Sequence, residues 1–328
     1  MFLYYNMVSK ITIGKVETQY VTSVTVKSSF KEMADTATIV LPREYRSAKI
    51  AGRTDSFERK NIKDLMKVGD EVTIQLGYDD QLKTVFKGYV KRITADIPLQ
   101  IECEDEMFKL RRSGSFTESF KSIKLLDLLH KIAPGYQYEV IDNMNLGAFI
   151  IENSTAFEVL EALRKDYLLH SSFQGKKLIV GFPTDLKPQT DHIFHIDYMR
   201  SADNLKFVAK EDMKLQIKAI SNNRDGTKEV VTVGDSGGSV RTLNFANKSK
   251  KELEDLAKKQ LQTLNFDGYQ GSFDSIGTPF VIVGDAVIIK DENYPNSQRD
   301  GKYLVEGVER AFDDSTGYKQ TITLSRKL

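Results

Sequence analysis

The densest run of metal-ligating side chains is Asp191-His192-Ile193-Phe194-His195-Ile196-Asp197, in a chain that holds four histidines. Two imidazoles and a carboxylate form a donor set that zinc accepts. On a strand, residues three apart point to opposite faces, so His192 and His195 would converge only on a turn. The spacing favours partly exposed histidines in a connector over a metal site. Glu102, Glu104, Asp105 and Glu106 surround Cys103 and suggest the paired carboxylates of glycoside hydrolysis. That chemistry needs two carboxyls held across a cleft, whereas acids gather at helix starts for electrostatic reasons alone. A helix start is the expectation. Cys103 itself falls in an alternating apolar strand, where burial keeps a thiol inert.

Gly234-Asp235-Ser236-Gly237-Gly238-Ser239 has the glycine content of a phosphate loop but lacks the Lys-Ser/Thr ending, and reads as a hairpin loop. Lys248, Lys250, Lys251, Lys258 and Lys259 are interleaved with Glu252, Glu254 and Asp255, the pattern of a solvated helix face. Arg43, Arg46, Lys49, Arg53, Arg59 and Lys60 differ, because they crowd an insertion between strands. They are the candidate partner contacts. No catalytic, cofactor or metal site emerges, and the expectation is a protein that is not an enzyme.

The elements that hold these residues are mostly strands. Period-two alternation marks Ser9–Val16, Val21–Val26, Thr36–Leu41, Glu71–Leu76, Val85–Ile93 and Leu99–Cys103, as a strand with one buried face requires. Pro42–Lys67 is a charged excursion with a short helix expected near Ile62–Met66. Amphipathic helices are predicted over Ser122–Ile132 and Thr155–Tyr167, the second opened by a capping box from Thr155 to Glu158. A hairpin follows, Leu169–Phe173 and Lys177–Val180. Beyond Ser201 strands return at Leu205–Ala209, Met213–Ile220, Lys228–Val233 and Val240–Phe245. A long helix spans Ser249–Leu264, and the last strand is Gln320–Leu324.

The two β regions repeat each other. Val68-Gly69-Asp70-Glu71-Val72-Thr73-Ile74 and Val283-Gly284-Asp285-Ala286-Val287-Ile288-Ile289 share V-G-D-x-V-x-I, 215 residues apart. Val90 and Ile93 match Val305 and Val308 at the same offset, and each region closes on one more strand, at Ile101 and Ile322. A period this long implies two related domains, not a solenoid. The expected fold is therefore mainly β: two related β-barrel domains, 1–113 (with its insertion, 42–67) and 201–328, around a small α+β middle domain, 114–200.

Composition bounds the function. Lys plus Arg number 47 and Asp plus Glu 46, which argues against nucleic-acid binding through overall positive charge. A single cysteine excludes an intrachain disulfide and a cysteine-rich zinc site. No window reaches the run of about 18 apolar residues that a membrane helix needs. The start, MFLYYNMVSK, lacks the features of a signal peptide, so synthesis in the bacterial cytoplasm is expected.

Three stretches carry a family resemblance: Phe30–Leu41 followed by Val68–Ile93, then Asn153–Gly181, then Leu253–Leu324. Together they resemble the central hub proteins of phage tails and contractile injection systems, namely the late control protein D family and the N-terminal part of type VI secretion VgrG spikes. The resemblance implies tube-type barrels and a non-enzymatic structural role in a virion tail or injection particle. It further implies a homotrimer that joins a hexameric tail tube protein to a trimeric spike protein. Tape-measure and baseplate proteins would be neighbours, and DNA or cargo would pass only through the lumen. Because the sequence ends at Leu328, the spike is expected to be a separate polypeptide. The alternative is a carbohydrate-binding or adhesin-like tail module, which the absence of tryptophan disfavours. A hydrolase is the third reading.

Overall fold

The computed structural model describes residues 6–41, 48–50, 53–55, 65–94, 98–182, 186–222, 227–246 and 248–328. Strands β1 (Met7–Ile13), β2 (Val16–Thr18), β3 (Ser23–Ser29), β4 (Thr36–Leu41), β5 (Ala48–Ile50), β6 (Arg53–Asp55), β7 (Glu71–Tyr78), β8 (Gln81–Ile93) and β9 (Leu99–Glu104) build the first half. Their order is β3-β4-β9-β8-β7-β1-β2, with the β5–β6 hairpin added beside β2. Alternation puts Ile11, Val24, Ile39, Ile74 and Ile101 on one face, all fully buried in one cluster. Among the described residues the buried members of that cluster come mostly from strands, so the face is kept dry chiefly by the sheet rolling over itself. The helix expected near Ile62–Met66 falls largely outside the described residues.

The middle unit holds α1 (Met107–Arg111), β10 (Phe116–Phe120), α2 (Leu125–Ile132), β11 (Gln137–Val140), β12 (Phe149–Ser154), α3 (Ala156–Tyr167), β13 (His170–Gln174) and β14 (Lys177–Gly181). Thr155 caps α3 with the reciprocal Glu158 bonds that its sequence predicts. Leu168 closes the helix in the left-handed region (φ 56°), turning the chain into the β13–β14 hairpin. α2 starts at Leu125, later than expected. Ile123 is engaged by Gly147 and Leu146 backbone bonds, and Lys124 bridges to Asn145.

The last part comprises β15 (Asp191–His195), β16 (Leu205–Val208), β17 (Leu215–Asn222), β18 (Lys228–Gly234), β19 (Ser239–Ala246), α4 (Lys250–Leu264), β20 (Gly268–Ile276), β21 (Ala286–Lys290), β22 (Gly301–Asp313) and β23 (Gly317–Lys327). The strands from 215 to 246 do not join the second lobe's sheet. β18-β17-β19 form a separate three-stranded sheet that packs against α4, with Ile217, Ala219, Phe245, Leu253 and Ala257 in a small core of its own. The apolar stripe of α4 needs a sheet face, and these strands supply it.

With that excursion set aside, the two lobes have one topology. The order β3-β4-β9-β8-β7-β1 in the first lobe is matched by β16-β20-β23-β22-β21-β15 in the second. The registers match as well: Glu71 faces Tyr89 and Val72 faces Gly88, as Ala286 faces Leu304 and Val287 faces Tyr303. The β8–β9 ladder slips between Val90 and Arg92, and β22–β23 slips at the equivalent Val305 and Gly307. Even the Gly-Asp turn repeats. Gly69 N–H donates to the Val90 carbonyl at 2.8 Å and Gly284 N–H to Val305 at 3.0 Å. Asp70 Oδ2 accepts from Lys67 N–H at 2.9 Å, and Asp285 Oδ2 from Ile282 N–H at 3.1 Å. Both glycines sit at positive φ, 93° and 89°, where a side chain is strained. One difference breaks the repeat: β1 runs antiparallel to β7, and β15 runs parallel to β21.

β22 fuses the lobes. Its Gly307–Asp313 half pairs antiparallel with β3, so both lobes share one fifteen-stranded sheet. Phe312 and Tyr318, from the β22–β23 arm, are buried in the first lobe's cluster. Tyr78 ties the arm down: its hydroxyl donates to the Tyr318 carbonyl at 2.7 Å and accepts from Gly277 N–H at 3.2 Å.

Candidate functional site

The residues singled out for chemistry are each held in a way that removes them from it. His192 and His195 stand on β15, not on a connector, and point to opposite sides. His192 Nε2 lies 2.9 Å from Asp285 Oδ2, and His195 Nδ1 lies 3.0 Å from Glu292. No cluster of three metal-ligating side chains occurs among the described residues. His192 instead braces β15 against the repeated Gly-Asp turn.

Only Asp105 and Glu106 precede α1; Glu102 and Glu104 lie on β9, so the helix-start expectation holds for half of the run, and the four carboxyls are divided among separate partners. Arg92 grips Glu102 through two contacts. Glu104 is buried between Arg111, whose Nη2 donates at 2.8 Å, and Lys91 at 3.2 Å. Tyr89 and Tyr136 hydroxyls donate to Glu106 at 2.7 and 2.8 Å. Asp105 accepts from Met107 N–H at 2.9 Å and from Asp35 N–H at 3.1 Å. No two of these carboxyls face each other across an open cleft. Cys103 is buried, and burial pushes its thiol up to about 12, so it is no nucleophile at neutral pH.

Two assignments need correction. The Gly234–Ser239 segment is not a hairpin loop: it carries the chain from β18 across the end of β17 to β19 on the far side. The glycines are there for clearance. A Cβ on Gly234 would lie 2.3 Å from the Leu215 carbonyl oxygen, and one on Gly238 would lie 2.5 Å from Lys214. Lys248 does not belong to a solvated face. It is buried just before α4, its ammonium 4.9 Å from the Tyr167 ring centre, and burial lowers its pKa. Lys250, Lys251, Lys258 and Lys259 are exposed as expected.

Of the candidate partner contacts, Arg43, Arg46, Arg59 and Lys60 lie outside the described residues. Lys49 and Arg53 have their backbones on the β5–β6 hairpin, Lys49 facing Thr54 and Arg53 facing Ile50. That hairpin sits at one end of the fifteen-stranded sheet.

What sequence reasoning missed is the junction of the three units. A cavity of about 520 Å³ opens there, with Ser29, Phe86, Phe173 and Phe280 among its walls. Asp35, Asp105 and Arg310 line it. Desolvation of its carboxyl pushes Asp35 up to about 6, against the lowering effect of Ser28 and Arg310. Asp105 is raised well above the usual range, by burial first and then by the Asp35 charge. Arg310 is buried, lies 4.4 Å from the Phe280 ring centre and donates to the Val281 carbonyl. The one available signal was an arginine inside the apolar alternation of β22.

No family model matches the chain, and no curated protein matches its sequence. Solved structures do match its fold. A tail protein from Neisseria meningitidis MC58 superposes with a TM-score of 0.64 at 16% identity, over 98% of this chain and 97% of that one. A 43 kDa tail protein of prophage MuSo2 from Shewanella oneidensis gives 0.63 at 16% identity, over 97% and 98%. An Escherichia coli component of the type VI secretion system, described as structurally similar to T4 tail proteins, gives 0.57 at 8% identity, over 97% and 76%. From end to end, then, the chain has the fold of phage tail proteins and of a type VI secretion component.

Proposed function

We propose that this chain is the structural hub of a phage tail or phage-like contractile injection system. In this reading three copies form a pseudo-sixfold ring that joins the tail tube to a separate spike protein and lines part of the central channel. The internal repeat carries the argument. Two lobes with one strand order and one register give three copies six similar lobes about an axis, which suits a sixfold partner on one face and a threefold partner on the other. The shared fold with tail proteins supports the same setting.

The role is that of a passive adaptor and conduit, with no reaction to catalyse. Binding comes from assembled interfaces rather than from a substrate pocket. The basic insertion that includes Arg43, Arg46, Lys49, Arg53, Arg59 and Lys60 contacts a neighbouring tail or baseplate protein. No described helix is long and apolar enough to cross a membrane, and the proposed place of the protein is the assembled particle. Electron microscopy of the particle is the test. Three copies on the tail axis between tube and spike are expected, and an off-axis position or another copy number overturns the proposal.

A further inference from the structure

β3 and β16 hold the same place in the two lobes, yet they are not equally satisfied. β3 pairs with β4 on one side and with β22 on the other. β16 pairs with β20, and no described strand pairs with its other side. A strand edge with unpaired N–H and C=O groups is a template for another strand. The first lobe carries the matching half. By the 215-residue correspondence, Gly307 and Val308 of β22, which pair with Ser29 and Ser28 of β3, are equivalent to Arg92 and Ile93 of β8. The β7 ladder along β8 stops at Tyr89, and beyond it the described pairing of Ile93 is with β9.

We propose that β16 of one copy pairs antiparallel with the end of β8 in a second copy, repeating between chains the joint that β3 and β22 make within one. The internal joint also sets the register: Val208 opposite Arg92, Phe207 opposite Ile93 and Lys206 opposite Thr94. The side chains suit it. Phe207 and Ile93 are both half-buried apolar residues that would cover each other, and Lys206 is exposed. The contact is shorter than the internal joint, because β8 ends at Ile93 and β9 begins at Leu99, whereas β22 runs on through Phe312. It is therefore weaker than the internal joint. Two different edges meet, so the association is head-to-tail and builds a ring when the rotation closes. Closure at three copies rests on the hub reading; the strand pairing does not.

The test introduces Thr94→Cys and Lys206→Cys into the full chain, whose own Cys103 is buried. Residues directly opposite on paired strands bring their Cβ atoms to about 4.5–5.5 Å, within reach of a disulfide. On oxidation of concentrated protein, the double variant is expected to yield covalent oligomers that end in a closed trimer. A mixture of the two single variants should yield dimers linked only from 94 to 206, read by peptide mass spectrometry. Linkage no greater than for a Thr94→Cys, Lys251→Cys control, or links mainly from 94 to 94, overturns the pairing. A closed ring of another size upholds the pairing and sinks the threefold reading. Thr94 Oγ also bonds Gln100, so the unsubstituted chain supplies a second measurement. Amide exchange over 205–208 should slow about tenfold from dilute to concentrated protein. Exchange that does not change with concentration overturns the proposal.

Discussion

At the scale of single residues, the chain uses its ionisable groups to fasten parts together. His192 braces a strand to a turn, Glu106 collects two tyrosine hydroxyls, and Glu104 is held between Arg111 and Lys91. A strongly pH-dependent place near neutrality is the Asp35–Asp105 pair at the three-unit junction. Desolvation raises Asp35 from 3.8 to about 6, so its contribution to stability is present below pH 3.8 and is lost as pH rises through 6. Asp35→Asn removes that loss and lets Asp105 ionise without a like-charged neighbour. Denaturant titrations should show the variant more stable at pH 8, on the order of 2 kcal/mol, with a flatter profile between pH 4 and 7. A variant no more stable at pH 8 than the natural chain would mean that the pair is not desolvated.

At the scale of elements, local rules account for most strands and for all the long helices. The Thr155–Glu158 box of α3 and a second box, Ser249–Glu252 at the start of α4, form as their spacing requires, because a hydroxyl and a carboxylate satisfy two orphan N–H groups at once. The β18–β19 connection could not be read the same way. Glycines and Asp235 announce a tight turn, but whether a turn joins neighbours or steps over a strand depends on where β17 lies. Gly234 has φ 107° and touches the β17 backbone, so Gly234→Ala should cost roughly 2 kcal/mol or more. Amide exchange should accelerate over β17–β19 and α4 and stay unchanged in the two lobes. Uniform acceleration would show that the small sheet is not a separate cooperative unit.

At the scale of the whole molecule, the β22–β23 arm makes two lobes into one body. Phe312 is formed by the second lobe's strand and buried in the first lobe's core, so Phe312→Ala should cost about 3–4 kcal/mol. It should also split unfolding into two calorimetric transitions, because the shared strand then joins the lobes without its plug. Ile150→Ala, at a residue 56% exposed, should change stability by less than about 0.5 kcal/mol. A single transition in the Phe312 variant would place the coupling in the β3–β22 hydrogen bonds alone.

The sequence by itself determined most of the strands, the capped helices and the repeat, because alternation, capping and Gly-Asp turns act over a few residues. From V-G-D-x-V-x-I together with the matched Val90 and Val305 at the same offset, the equivalence of β7–β8 with β21–β22 was legible. Only the tertiary structure decided that β22 pairs with β3, that β17–β19 stand apart with α4, and that β15 reverses direction relative to β1. Those outcomes depend on which edges meet. Backbone hydrogen bonding is the same for every partner strand, so the choice rests on packing between residues far apart in the chain. Asp35, Asp105 and Arg310 show the same limit: nothing near them in sequence says that three units close around them.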